Sequence, residues 1–75
     1  MEKLEYDYSK LNGRIVEKCG TQKNFASKMG LTERSVSLKL NNKRPFNQED
    51  IDRSLRVLNI PPEEISVYYF TKKVQ

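Results

Sequence analysis

Thr21–Asn41, TQKNFASKMGLTERSVSLKLN, is the stretch on which the rest of the chain depends. It reads as two short helices joined by a tight turn. Thr21 supplies an N-cap oxygen, and Gln22 to Met29 places Phe25, Ala26 and Met29 on one face. Gly30 stands where a chain leaving a helix needs positive φ, which glycine adopts at little steric cost. Leu31 follows as an apolar plug. Thr32 caps a second helix, Glu33 to about Leu40, whose inner face is Val36 and Leu40, four residues apart. Ala26 is small where the two helices cross.

Ala26, Gly30 and Val36 stand at the spacing of a helix-turn-helix. The run Thr21, Gln22, Phe25, Ala26, Gly30, Ser37, Lys39, Leu40, Asn41, followed by Asn42-Lys43-Arg44-Pro45-Phe46, resembles the small phage regulators of the Cro and lambda-repressor-like family. Lys39 departs from that pattern, because many members carry an aliphatic residue there. The resemblance implies an all-α, five-helix lambda-repressor-like domain, a double-stranded operator as partner and a dimer on a two-fold site.

Working outward, Leu11, Ile15 and Cys19, with Val16 beside them, give helix one from Tyr8 or Ser9 to Cys19, stopped by Gly20. Gly13 inside it lowers helix propensity by about 1 kcal/mol relative to alanine and would permit close approach of another backbone. Residues 1–7 form a lead-in, with Leu4 or Tyr6 covering the core edge. Beyond the motif, Pro45 bars helix continuation and Phe46 anchors the loop to the core. Asn47 caps helix four, with Ile51, Leu55 and Leu58 as its inner stripe, supported by Val57, and Asn59 as its end. Pro61-Pro62-Glu63-Glu64-Ile65 starts a short fifth helix. The tail, residues 66–75, reads as a short extended strand because Val67 to Thr71 is β-branched and aromatic. Two uses of it are open: self-pairing across a dimer axis through Val67, Tyr68, Tyr69 and Phe70, or closure over its own core by Phe70.

A chain of 75 residues makes one domain, 1–75, with a marginal core. Its one cysteine, Cys19, fits a reducing cytoplasm and reads as a small buried hydrophobe. No apolar run approaches the roughly 20 residues that span a bilayer, so no membrane association is expected. The expected place is the cytoplasm of a bacterial host. The chain has no histidine, no glycine-rich phosphate loop and no metal-ligand spacing, so neither catalysis, cofactor, metal nor small-molecule substrate is expected.

Fourteen Lys and Arg against ten Asp and Glu give a net charge of +4. The basic residues Arg34, Lys39, Lys43 and Arg44 gather in and just beyond the second motif helix. With Val36 and Leu40 inward, a wheel of about 100° per residue turns Arg34, Ser37, Leu38 and Asn41 outward. Arg34 suits guanine and Ser37 either a donor or an acceptor. Leu38 suits a thymine methyl, or is buried by a small rotation. Glu33 either accepts from cytosine or complements the helix dipole. Asn41 either contacts DNA or ends the helix. Thr21 and Gln22 sit at a helix N-terminus that favours phosphate, with Lys23, Lys39, Lys43 and Arg44 as cationic helpers; the family likewise implies a backbone contact for Gln22.

The reading is therefore a sequence-specific DNA-binding regulator, a Cro-like repressor acting by operator occlusion. Within DNA binding, an antitoxin-type regulator or an activator of the same fold is the alternative. From another class, the alternative is a protein-interaction module or antirepressor using the helical scaffold and aromatic tail.

Overall fold

The ends of the three central helices are set by short polar side chains at the start and by left-handed residues at the finish. The computed structural model describes residues 5–73, so Leu4 lies outside the described residues. α1 spans Ser9–Cys19, α2 Gln22–Met29, α3 Glu33–Leu40, α4 Gln48–Val57 and α5 Ile65–Tyr69, with a single 3₁₀ turn at Pro62–Glu64. Among the described residues, the five-helix, all-α reading holds.

Asp7 starts α1 from two residues ahead. Its carboxylate accepts from the Ser9 N–H at 2.9 Å and the Ser9 hydroxyl at 2.6 Å, which pulls its pKa below the usual carboxylate range. Thr21, Thr32 and Asn47 then cap α2, α3 and α4, each accepting from a backbone N–H three residues on. Asn47 and Asp50 complete a reciprocal capping box.

Three helices finish in the same way. Gly30, Asn42 and Asn59 take φ of 71°, 61° and 54°. The N–H of the residue after each reaches back five positions: Leu31 to Ala26 O at 2.9 Å, Lys43 to Leu38 O at 2.8 Å and Ile60 to Leu55 O at 2.8 Å. This is the Schellman ending, in which glycine or asparagine tolerates the left-handed turn. Two arginines occupy carbonyls at helix ends: Arg53 Nη1 donates to Met29 O at 2.8 Å, and Arg14 donates to Leu58 O at 3.0 Å and Asn59 O at 2.7 Å.

The core is Leu11, Ile15, Phe25, Met29, Val36, Leu40, Leu58, Ile60 and Tyr69, with Cys19 at its edge. Val16 departs from the expected stripe, being 60% exposed. Gly13 faces no backbone; nothing lies within 4 Å of where its Cβ would be. α4 also differs from expectation. Its most buried residues include Asp50 and Ser54, while Ile51 and Leu55 are half-buried.

The tail corrects the expected strand. Residues 65–69 are helical, because Ile65 and Tyr69, four apart, both turn toward the core, and Tyr69 is 2% exposed. Burying that ring outweighs the β-propensity of the local sequence. Val67 to Phe70 therefore offers no strand for self-pairing, and Tyr69 is occupied within its own protomer. Among the described residues, extended pairing appears only where Tyr6 bridges Lys72 in antiparallel fashion.

Candidate interaction surfaces

α3 is held by its inner side and presents its outer side. Val36 and Leu40 are buried, Glu33, Arg34 and Asn41 are exposed, and Ser37 and Leu38 are half-buried between them. The outer set is thus one acid, one base, a hydroxyl, an aliphatic side chain and an amide. The Asn41 amide donates back to Ser37 O at 2.7 Å, so this side chain serves the end of its helix.

Lys39 does not join them. It is 8% exposed and its Nζ forms an ion pair with the Asp50 carboxylate, linking α3 to the first turn of α4. Its placement as a phosphate contact is corrected: a lysine on the inner arc, beside Leu40, must find a buried partner, and Asp50 is that partner. The aliphatic residue expected at this position is replaced by a paired charge.

At the start of α2, Thr21 Oγ1 accepts from Asn24 N at 3.1 Å, and Gln22 Nε2 donates to Asn12 Oδ1 at 3.1 Å. Lys23, Lys43 and Arg44 are exposed. Among the described residues, Lys23, Arg34, Lys43 and Arg44 join none of the ion pairs, which use Arg14, Lys39, Arg53, Arg56 and Lys73. These four cations retain their full field for a ligand.

Asn42 was not singled out by sequence reasoning. Its Oδ1 accepts from Tyr6 N and its Nδ2 donates to Tyr6 O, both at 3.0 Å, so one amide completes the backbone bonding of the lead-in segment. An asparagine just past a helix end was the available signal. The segment it holds brings Tyr6 and Tyr8 against Phe46, Tyr69 and Phe70. Tyr8 meets Phe46 edge to face at 5.3 Å, and Phe46 meets Tyr69 at 5.1 Å. These rings border a cleft of about 380 Å³ beside Lys43 and Arg44.

Among the described residues, no cluster of potential metal ligands occurs and no helix is long and apolar enough to cross a membrane. Residues 4–72 match the family DUF739, described as a protein of unknown function. The chain belongs to that family. No functionally curated protein matches it. Among solved structures, it is similar to the solution structure of the modulator of repression (MOR) of the temperate bacteriophage TP901-1 from Lactococcus lactis. The two are 53% identical over 93% of this chain and 95% of that one, with a TM-score of 0.79.

Proposed function

We propose that this DUF739 protein is a phage regulatory protein that modulates repression by binding another regulator, a binding module rather than an enzyme, built on a lambda-repressor-like helix-turn-helix scaffold. The observation that carries this is its 53% identity, over nearly the whole chain, to a protein named a modulator of repression. The outer face of α3 suits a protein surface: Glu33 and Arg34 offer charges of both signs, and half-buried Leu38 offers apolar contact. With Lys39 withdrawn into the core, that helix presents a single cation. Acting this way, the protein covers part of a repressor and changes how much operator the repressor holds.

The test is a titration into a preformed complex of the phage's repressor with its operator duplex. The expected result is a change in operator occupancy at concentrations where the protein alone leaves the duplex unshifted. An unchanged occupancy, together with a direct shift by the protein alone, overturns the proposal.

That second outcome belongs to the other reading, direct operator occlusion, which is favoured by Lys23, Arg34, Lys43 and Arg44, cations in and around α2 and α3 that join no ion pair among the described residues. Under it, Arg34→Ala lowers affinity for the best duplex by about 1–3 kcal/mol and relaxes preference at one position. Lys43→Ala weakens all duplexes alike and lowers the salt slope by about one.

A further inference from the structure

The cleft at the chain ends is more than a gap between rings. Tyr6 and Phe70 stand edge to face at 6.0 Å on one side, with Lys43 and Arg44 on the rim. Phe46, Ile51 and Phe70 border both this cleft and a shallower groove along α4 and Ile65, with Glu49 and Asp52 on its lip. Phe70 is 49% exposed, and Val67, three residues before it on α5, is also exposed. Charge along this path is graded. Its first end carries two cations without ion-pair partners among the described residues, whereas Glu49 and Asp52 at the other are engaged by Arg53 and Arg56.

We infer that this cleft and groove dock an amphipathic segment of a protein partner, with apolar side chains over Phe46, Ile51 and Phe70 and carboxylates against Lys43 and Arg44. The inference rests on the modulator reading for the existence of such a partner. An exposed aromatic beside a preformed apolar cleft supplies the anchor, and a rim of one sign supplies the orientation. A groove between short helices takes an apolar helical face in this manner. A single-stranded nucleic acid fits less well. The bordering rings engage one another edge to face rather than opening parallel faces on which a base could stack. Because Lys43 and Arg44 follow directly on α3, a carboxylate-bearing occupant neutralises cations that a DNA phosphate would need. Filling the cleft and holding a duplex at this loop are therefore mutually opposed.

The probe is a capped amphipathic peptide with two leucines and a phenylalanine at helical spacing and three glutamates at one end, titrated into isotopically labelled full-length protein. Amide shifts are expected at Tyr6, Lys43, Phe46, Ile51 and Phe70. Phe70→Ala should weaken binding about tenfold, the loss of an aromatic anchor. Its thermal melt reports on folding, and Lys43→Glu with Arg44→Glu provides a second, surface-only variant expected to weaken the same peptide and to lose its salt dependence. Shifts confined to residues 33–38, equal affinity of both variants, or tighter binding of an oligothymidine at the same amides overturns the inference. Capture of the phage repressor is measured in parallel. A repressor bound equally by wild type and Phe70→Ala overturns the cleft and leaves the modulator reading standing. Peptide binding at the cleft with no repressor capture overturns the modulator reading instead.

Discussion

Lys39 and Tyr69 show how single side chains tie this small fold together. Lys39 Nζ lies over the Phe46 ring, 6.0 Å from its centroid, and its charge is matched by Asp50. Its sequence neighbourhood reveals a cation among cations; the partner stands eleven residues on and has a sufficient local role as a capping acid, so the pair was not legible in advance. Removing one member leaves a buried charge alone. Lys39→Met should cost about 3–5 kcal/mol in urea unfolding, and adding Asp50→Asn, which keeps an acceptor for Asn47 N–H, should restore most of it. A double variant as weak as the single one would mean the pair is not the cause. Tyr69 shares a hydrogen bond with Ser54, and burial pushes its phenol up to about 12, opposed by that bond and assisted by Tyr8 and Asp50. A pKa raised in the folded state means the neutral form is favoured there. Its contribution is complete below the ordinary value of 10 and is lost as pH rises from 10 toward 12. The wild type should lose at most about 3 kcal/mol of stability through this group across that window. Tyr69→Phe should start about 1 kcal/mol lower at neutral pH and fall less steeply, with the remaining slope including the buried Tyr8 phenol, which is also shifted upward. Parallel pH profiles for the two proteins would sink this assignment.

At the scale of elements, the caps were legible and the tail was not. Thr21, Thr32 and Asn47 announce α2, α3 and α4 because a short oxygen before an apolar-periodic run has few other local uses. The three left-handed endings were half legible: Gly30 stands out, while Asn42 and Asn59 do so only once the helices before them are placed. A five-residue helix, by contrast, is too short to display a period, so Val67, Tyr68 and Phe70 read by propensity as a strand. The candidate site divides likewise. Exposure of Arg34 and Asn41 followed from the helical wheel, which also turned the half-buried Ser37 and Leu38 outward, whereas the engagement of Gln22 by Asn12 and of Lys39 by Asp50 depends on tertiary contacts. Two of the three glycines, Gly30 beyond a helix and Gly13 inside one, give opposite expectations. Gly30 has room for a Cβ but sits at φ 71°, so Gly30→Ala should cost about 1–2 kcal/mol through backbone strain alone. Gly13 has room at an ordinary helical φ, so Gly13→Ala should add about 0.5–1 kcal/mol. Equilibrium urea denaturation reads both, and the same sign for the two would refute the argument.

Across the whole molecule, both chain ends are part of the closure. Asp7 N donates to Thr71 O at 2.7 Å, Lys73 N donates to Glu5 O at 3.1 Å, and Asn42 holds the lead-in from its other side. α5 lies against α1, and its Tyr69 completes the ring cluster with Phe46 and Tyr8. Nothing in this arrangement makes the tail an appendage reserved for a second copy. A 75-residue domain has a total stability of roughly 4–11 kcal/mol. Deleting a buried aromatic removes about 3–5 kcal/mol of that, and truncation after Ser66 deletes Tyr69 together with the pairing to Glu5 and Asp7. The truncated chain should therefore lose its cooperative thermal transition and its near-ultraviolet circular dichroism while keeping part of its helical signal. Phe70→Ala, which removes an exposed ring and leaves Tyr69 in place, should melt within a few degrees of the wild type. A truncated protein with an intact cooperative melt would show that the tail is dispensable to the core and would reopen the strand reading.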